Sequence, residues 1–311
     1  MDEFLENYFE TKIPRIISVY SRKSITNNLK RVVKIINIPF VDWDVNLFTI
    51  KFIDSMLEKF KDKYKTTSII SSLSILKAWL VSVDASREII DEIAESTQDF
   101  VDERNDKIES QEKTPTEIKL NDDFEWANLT RKITLYIEEH IEKANRQEIN
   151  RLLVVGLFTL QPPVRPGNYA NVLVKNEDEE SKLPPSHNYL IVGNGGYKFV
   201  FNLFKTAKIL GQTIQHIEKN SLLEELISIQ LSNMKNRDDK FFKGGQAAIA
   251  SLIADTTFRI FNFPISANVI RHSYLTSYLK SVHTIPEKRA MARSIGQTYD
   301  PSMMENYFRV D

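Results

Sequence analysis

Residues 188–202, NYLIVGNGGYKFVFN, contain the signal that decides the fold class of the larger part of this chain. Two short runs of aromatic and branched residues flank the turn-forming GNGG, which is typical of a β-hairpin. A third strand is predicted at 213–217, TIQHI, after a bend at Gly211. Helical patterns surround these strands, at about 126–144, 147–160, 221–234, 246–260, 267–282 and 287–296. This order of elements predicts a mostly α chain with a small antiparallel sheet, an α+β fold.

The N-terminal part of the chain contains helical patterns alone. Apolar residues recur at helical spacing in two stripes, Phe48, Phe52, Met56, Leu57 and Phe60, then Ile69, Leu73, Leu76, Leu80 and Val81. Another helix is predicted over residues 24–37, where Lys30, Arg31 and Lys34 fall within about one turn and form a basic patch. We predict a helical bundle at 1–92, an acidic linker at 93–125 and a second domain at 126–311.

The composition excludes several classes of protein. The 311 residues include no cysteine, which excludes a disulfide scaffold, a thiol nucleophile and cysteine-ligated metal centres. No stretch approaches the roughly 20 apolar residues that span a bilayer, and the acidic N-terminus lacks a signal-peptide pattern. A soluble intracellular protein with no membrane partner is therefore expected. The five histidines are scattered, and no phosphate-binding GxxxxGK[ST] loop occurs.

Charge is segregated along the chain although the formal net charge is -1. Residues 12–77 hold 13 basic and 5 acidic side chains, whereas residues 84–126 hold 5 basic and 15 acidic ones. Residues 127–311 are again basic in balance, with 23 basic and 18 acidic side chains. Two basic blocks can each face a polyanion, because the local field governs association. Lysine-rich helices with solvated faces explain the same pattern, so charge alone suggests DNA without establishing it.

Four segments of the second domain carry side chains suited to phosphoryl chemistry. They are Arg165 in PPVRPGNY, Lys205 in NLFKTAK, Arg271 in NVIRHSYLTSYL and Tyr307 in MMENYFRVD. This ordered set, with RHSYLT at 271–276 as its most specific stretch, resembles the tyrosine recombinases of the phage-integrase type. The chain is more similar to integrases of eukaryotic mobile elements and large-virus parasites than to bacterial chromosome-dimer enzymes. The resemblance implies a DNA-binding core-binding bundle followed by a catalytic domain.

The resemblance also implies a covalent reaction on DNA without a cofactor or metal. Tyr307 would form a 3′-phosphotyrosyl link. A tyrosine hydroxyl, with an ordinary pKa of about 10, attacks poorly unless the phosphate is made electrophilic, and Arg165 and Arg271 can grip its oxygens. Lys205 can protonate the departing 5′-oxygen. His272, beside Arg271, and the basic patch are expected to contact DNA.

Two positions depart from the family pattern, and two roles have rival residues. The family usually has a histidine three residues before the second arginine and a histidine or tryptophan after the late glycine, where this chain has Asn268 and Gln297. Amides can hydrogen-bond a phosphate oxygen but cannot carry a proton at neutral pH, so we assign both to the site with weakened acid–base assistance. Lys208 is an alternative for the lysine role, and Tyr299 for the nucleophile.

We therefore expect a site-specific DNA recombinase or integrase whose partner is double-stranded DNA, acting in the nucleus, cytoplasm or viral factory of a host. The resemblance implies a dimer at each DNA site and a tetrameric synapse. A DNA-binding protein with this fold but without turnover is an alternative, motivated by Asn268 and Gln297. The third possibility is an enzyme with the same chemistry but different products, either a type IB topoisomerase or a telomere resolvase, since a fold does not dictate the outcome of a reaction.

Overall fold

A computed structural model describes residues 19–110, 113–234 and 240–299 of the chain. The chain divides into two compact units, residues 1–110 and 111–311. Within the described ranges, no helix has both the length and the apolar content that a membrane span requires.

The first unit is helical throughout its described part. Its helices are α1 (Val19–Ile36), α2 (Ile50–Lys63), α3 (Thr66–Ser82) and α4 (Arg87–Glu109), with 3-10 turns at Phe40–Asp42 and Val45–Leu47. Helix α1 begins before the predicted residue 24 and ends where Asn37 takes a positive φ of 57°. Helix α2 begins where the Thr49 side chain accepts a hydrogen bond from the Phe52 backbone, which satisfies an otherwise unpaired amide of the first turn.

Aromatic rings form the centre of the first unit's core. The Trp79 ring of α3 lies 5.1 Å from the Trp43 ring and 5.3 Å from the Phe48 ring, centroid to centroid. Phe40 completes the group at 4.8 Å from Trp43. The Trp43–Trp79 pair is edge-on and the other two pairs are tilted, and such ring contacts add to the energy of apolar burial. Most residues of the two predicted stripes therefore face inward, but Phe52 is only half-buried, and Val81, in the last turn of α3, is exposed and does not belong to the core.

Much of the stretch 93–125, predicted as a linker, is folded. Helix α4 continues through it to Glu109, with Ile93 and Phe100 buried against the rest of the first unit. A second helix, α5, spans Pro115–Leu120. The acidic residues lie mainly on the exposed face of α4, so the average composition of the stretch hid an apolar stripe with a seven-residue spacing.

The second unit combines short and long helices with a four-stranded sheet. After α5 come α6 (Trp126–Ile141), α7 (Arg146–Thr159), α8 (Pro166–Tyr169), β1 (Leu173–Asn176), β2 (Tyr189–Gly193), β3 (Gly196–Phe201), α9 (Ala207–Leu210), β4 (Thr213–His216), α10 (Leu222–Ser232), α11 (Gln246–Phe261), α12 (Ala267–Leu279) and α13 (Ile285–Ser294). The fold class predicted from the sequence, mostly α with a small sheet, is confirmed.

The sheet contains the predicted hairpin and one strand that the sequence pattern did not reveal. Its order is β1-β2-β3-β4, with β2, β3 and β4 antiparallel and Leu190 opposite Phe199 in the hairpin. Strand β1 pairs parallel to β2, so the sheet is mixed rather than antiparallel. The four residues of β1, LVKN, are too few to show a clear alternation.

Helix α7 is the centre of the second unit's core. Every residue from Leu152 to Thr159 is buried, and α7 packs against α6, α10, α11 and α12. A side chain at Gly156 would lie only 3.3 Å from both Leu160 and Leu226, which is how α10 approaches so closely. This buried helix holds the following loop, with Arg165, in a fixed place.

Candidate active site

Three segments that are far apart in sequence meet at the carbonyl oxygen of Gly296. Arg165 stands at the start of α8, and its Nη1 donates a hydrogen bond to that oxygen over 3.1 Å. Thr206 Oγ1 donates to the same oxygen over 2.8 Å. One carbonyl therefore joins the loop after α7, the β3–β4 connection and the turn after α13.

The Arg165 loop is held by its own sequence. The prolines 162 and 163 prevent α7 from continuing, and the buried Val164 anchors the loop in the core. Pro166 opens α8, where its fixed φ suits the first helical position. From strand β4, the Gln215 Nε2 donates to the Pro162 carbonyl oxygen over 2.9 Å. The half-buried Arg165 side chain therefore projects from a loop whose backbone is held in place.

Gly296 and Gln297 form a tight turn after α13. Gly296 has a φ of +66°, which favours glycine, and a Cβ there would lie 3.5 Å from Asn168 Nδ2. Gln297 is 3 % exposed, and its backbone amide donates to the Ala292 carbonyl oxygen over 2.8 Å. Gln297 therefore adjoins the carbonyl that Arg165 contacts.

The lysine candidates both lie in the β3–β4 connection, outside the β2–β3 turn. Lys205 precedes Thr206, so the Thr206 hydrogen bond to Gly296 places the backbone of Lys205 near the Arg165 contact. Lys208 lies in α9, and the side chains of both lysines are exposed. Of the two candidates, Lys205 is the one directly adjacent in sequence to Thr206.

Helix α12 carries Arg271 and its neighbours. The Ser266 side chain caps the helix by accepting from the Val269 backbone amide over 3.4 Å. Asn268 is exposed in the first turn, whereas Arg271 is 2 % exposed. The Arg271 side chain is therefore enclosed by the protein, which restricts the positions of its guanidinium.

His272, which the sequence suggested as a DNA contact, pairs with a carboxylate of its own unit. Its Nδ1 lies 2.8 Å from Oε1 of Glu117, whose side chain is fully buried. Glu117 also accepts from the Thr114 backbone amide over 2.6 Å and so completes a capping box at α5. Burial alone would raise the pKa of Glu117, but the hydrogen bonds from His272 and Thr114 outweigh it and lower the pKa to about 2.

Glu117 is a residue that the sequence reasoning missed. The TPTE pattern at 114–117 is a capping-box signature, and it could have indicated the helix start. No local signal indicated the partner 155 residues away. In addition, Ser273 Oγ donates a hydrogen bond to the Phe124 carbonyl oxygen over 2.6 Å. This bond also holds the same part of α12 against residues 114–124.

Of the two tyrosines considered as the nucleophile, the structure describes only Tyr299. Tyr307 lies outside the described residues. Tyr299 is half-buried and packs against a small cluster that includes Leu275, Met291 and Ile295. This packing is what an aromatic residue with a structural role makes.

The predicted basic patch lies on α1 of the first unit. Lys30 and Lys34 are exposed one turn apart. Arg31 is half-buried, and its Nη1 donates to Asn28 Oδ1 over 2.6 Å. Buried Ser72 of α3 also donates to Asn28 Oδ1, over 3.4 Å, so Arg31 is held against the α1–α3 packing.

Over residues 19–110, 113–234 and 240–299, no group of three or more histidine, aspartate or glutamate side chains is arranged to hold a metal ion.

The comparisons with known proteins give similarity in structure but none in sequence families or curated proteins. No protein-family model matches the chain, and no curated protein matches it. A crystal structure of XerA recombinase is similar over the whole of this chain and 94 % of its own, with 14 % sequence identity and a TM-score of 0.40.

Proposed function

We propose that this chain cleaves and rejoins double-stranded DNA through a 3′-phosphotyrosyl link on Tyr307. The meeting of the Arg165, Thr206 and Gly296 segments at one carbonyl is the observation that best supports this function. It brings together a guanidinium, a loop that carries a lysine, and the turn in which Gln297 follows Gly296. Such preorganised donors stabilise the charge that develops on a five-coordinate phosphate.

In the proposed reaction, the Tyr307 oxygen bonds to phosphorus while the bond from phosphorus to the 5′-oxygen breaks. The phenolic proton passes to water, and the Lys205 ammonium gives a proton to the 5′-oxygen. Arg165 and Arg271 neutralise the non-bridging oxygens. The covalent link stores the bond energy, so a 5′-hydroxyl can reverse the step and reseal the strand.

DNA binding is proposed to use α1 of the first unit together with the basic segments of the second. Helix α1 carries basic and no acidic residues, whereas α4 is rich in acidic ones. A duplex would therefore approach the α1 side of the first unit and avoid the exposed face of α4. Affinity that rests on phosphate contacts falls steeply as salt rises.

The finer form of the proposal is a site-specific recombinase that acts as an integrase of a mobile element. Two protomers would bind each DNA site and four would form the synapse. Recombinant products from paired sites distinguish this outcome from a topoisomerase, which yields only relaxed circles, and from a telomere resolvase, which yields hairpin ends.

A second candidate is a DNA-binding protein that does not turn over. Asn268 and Gln297 favour it, because neither amide can carry a proton at neutral pH. This candidate predicts tight binding to DNA without any covalent adduct.

The test uses wild type, Tyr307→Phe and, as a matched control, Tyr299→Phe. Each protein is incubated at low salt with EDTA and either supercoiled plasmid or nicked duplexes that carry the element's own terminal sequences. After a detergent quench, relaxation and protein bound to DNA 3′ ends are measured. We expect adducts with wild type and Tyr299→Phe and none with Tyr307→Phe. Tight binding without an adduct on the nicked duplexes would establish the second candidate instead.

A further inference from the structure

The buried side chain of Asn188 joins the segments of two proposed site residues. Asn188 lies just before β2 and is 3 % exposed. Its Nδ2 donates to the carbonyl oxygens of Asn168, over 2.8 Å, and Leu203, over 2.9 Å. Its Oδ1 accepts from the backbone amides of Asn202, over 2.8 Å, and Leu203, over 2.7 Å. This single amide uses both donors and both acceptor positions.

These bonds connect α8, the helix that follows Arg165, to the loop that carries Lys205. Asn168 lies in α8, three residues after Arg165, and Leu203 lies two residues before Lys205. On the other side of Lys205, the Thr206 hydroxyl binds the carbonyl that Arg165 also contacts. The backbone of Lys205 is therefore tied on both sides, although its side chain is exposed.

A tied backbone matters because a lysine side chain has many rotamers. Each freely rotating bond adds to the entropy that is lost when the ammonium must meet one oxygen atom. A loop that also moved would multiply the unproductive positions, and small errors in the placement of a reacting group cost large factors in rate.

We propose that Asn188 is a positioning residue, which holds the Leu203 backbone so that the Lys205 ammonium reaches the departing 5′-oxygen. This assignment rests on the proposed function. Asn188 itself touches neither the DNA nor the reacting atoms. Arg165 keeps its own hydrogen bond to the Gly296 carbonyl, so we expect loss of the Asn188 bonds to affect chiefly the protonation step, in which the bond from phosphorus to the 5′-oxygen breaks and that oxygen takes a proton from Lys205.

The test compares two nicked DNA substrates that differ in one leaving atom. One has the ordinary 5′-oxygen, and the other has sulfur in its place at the scissile bond. A thiolate leaves without a proton because thiols are far stronger acids than alcohols, with a pKa of about 8.5 for cysteine. A defect in the protonation step therefore slows the oxygen substrate and spares the sulfur substrate.

Four variants make the comparison specific. Asn188→Asp keeps an oxygen for the amides of the loop and sets a second oxygen against the two carbonyls, which cuts the link to α8. Thr206→Val, with a side chain of similar shape, removes the hydrogen bond to the Gly296 carbonyl on the other side of Lys205. It tests the same proposal if Asn188→Asp does not fold. Lys205→Ala gives the pattern of a lost acid. Gln212→Ala is the matched control, because its exposed side chain bonds Asn202 Oδ1 of the same loop, over 2.9 Å, and leaves the Asn188 bonds in place.

We expect Asn188→Asp, Thr206→Val and Lys205→Ala to cleave the oxygen substrate about 100-fold more slowly than wild type, within the range for general acid catalysis. Their rates on the sulfur substrate should stay within about threefold of wild type, and Gln212→Ala should match wild type on both substrates. Equal slowing of both substrates by the Asn188 and Thr206 variants would overturn the positioning role. Failure of wild type to cleave either substrate would instead overturn the proposed function, and this assignment with it.

Discussion

Replacement of Glu117 by glutamine should destabilise the second unit of the protein in a pH-dependent manner. Glu117 is fully buried, contacts His272 at 2.8 Å and accepts from the Thr114 backbone. On folding, its pKa falls from 4.5 to about 2. At 1.36 kcal/mol for each pH unit, the ionised carboxylate contributes about 3 kcal/mol at pH 7, and Glu117→Gln should lose most of it.

The sign of the pH dependence follows from the lowered pKa. A carboxylate with a lowered pKa stabilises the fold at every pH above its ordinary value, 4.5, and loses this contribution as the pH falls through the folded value, about 2. The difference in unfolding free energy between wild type and Glu117→Gln should therefore narrow from about 3 kcal/mol at pH 7 to about 1 kcal/mol at pH 3.

The measurement is urea unfolding of protein that contains fluorinated tryptophan, followed by fluorine NMR. The chain has three tryptophans, and Trp126 is the one in the second unit. Trp126 packs against Tyr274 of α12 at 5.1 Å between ring centroids, so its resonance reports the relevant unit. Glu125→Gln is the control, because the exposed Glu125 pairs with Lys280 at 3.7 Å and should contribute less than about 1 kcal/mol.

Two results would refute this reasoning. One is a Glu117→Gln unfolding free energy within about 0.5 kcal/mol of wild type at pH 7, as for an ordinary surface substitution. The other is a large difference that stays constant down to pH 3, since a hydrogen bond independent of charge would behave in that way.

The remaining predictions concern the turn after α13, the basic patch and the first turn of α12. Gly296→Ala, at a φ of +66°, should lower stability by about 1–3 kcal/mol in calorimetry, whereas Gly195→Ala, with open space around it, should stay within about 0.5 kcal/mol. The double substitution Lys30→Glu and Lys34→Glu should weaken DNA binding. The slope of the logarithm of the binding constant against the logarithm of the salt concentration should become shallower by about one for each phosphate that the protein no longer neutralises. A fluorescence anisotropy titration that is unchanged from wild type would show that the basic patch does not bind DNA. Asn268→His should raise the cleavage rate about 10-fold in single-turnover assays, and no gain would mean that residue 268 does not assist proton transfer.

The local elements were predictable because short-range patterns specify them. The GNGG turn between two apolar runs indicated the hairpin, and the apolar run after residue 147 indicated the buried helix α7. At the start of α10, the Ser221 hydroxyl accepts from the Glu224 backbone amide over 3.1 Å, and the Glu224 carboxylate accepts from the Asn220 backbone amide over 2.6 Å. Each of these signals lies within a few residues of the element that it specifies.

The acidic stretch at 93–125 shows where local reasoning failed. Its average composition indicated a linker, yet Ile93 and Phe100 are buried and α4 runs to Glu109. A helix with one narrow apolar face and a charged remainder has nearly the composition of a linker. Only the partner surface, here chiefly α3, distinguishes the two.

The sequence by itself determined most of the helices, the β2–β3 hairpin, the loop that presents Arg165 and the order of the candidate residues along the chain. Tertiary structure alone decided which of them meet: Arg165 and Gly296 are 131 residues apart, and His272 and Glu117 are 155 apart. Turns, caps and amphipathic stripes depend on neighbours along the chain, so they are visible in the sequence. A contact across more than a hundred residues depends instead on how every intervening helix and strand packs, and no local pattern encodes that.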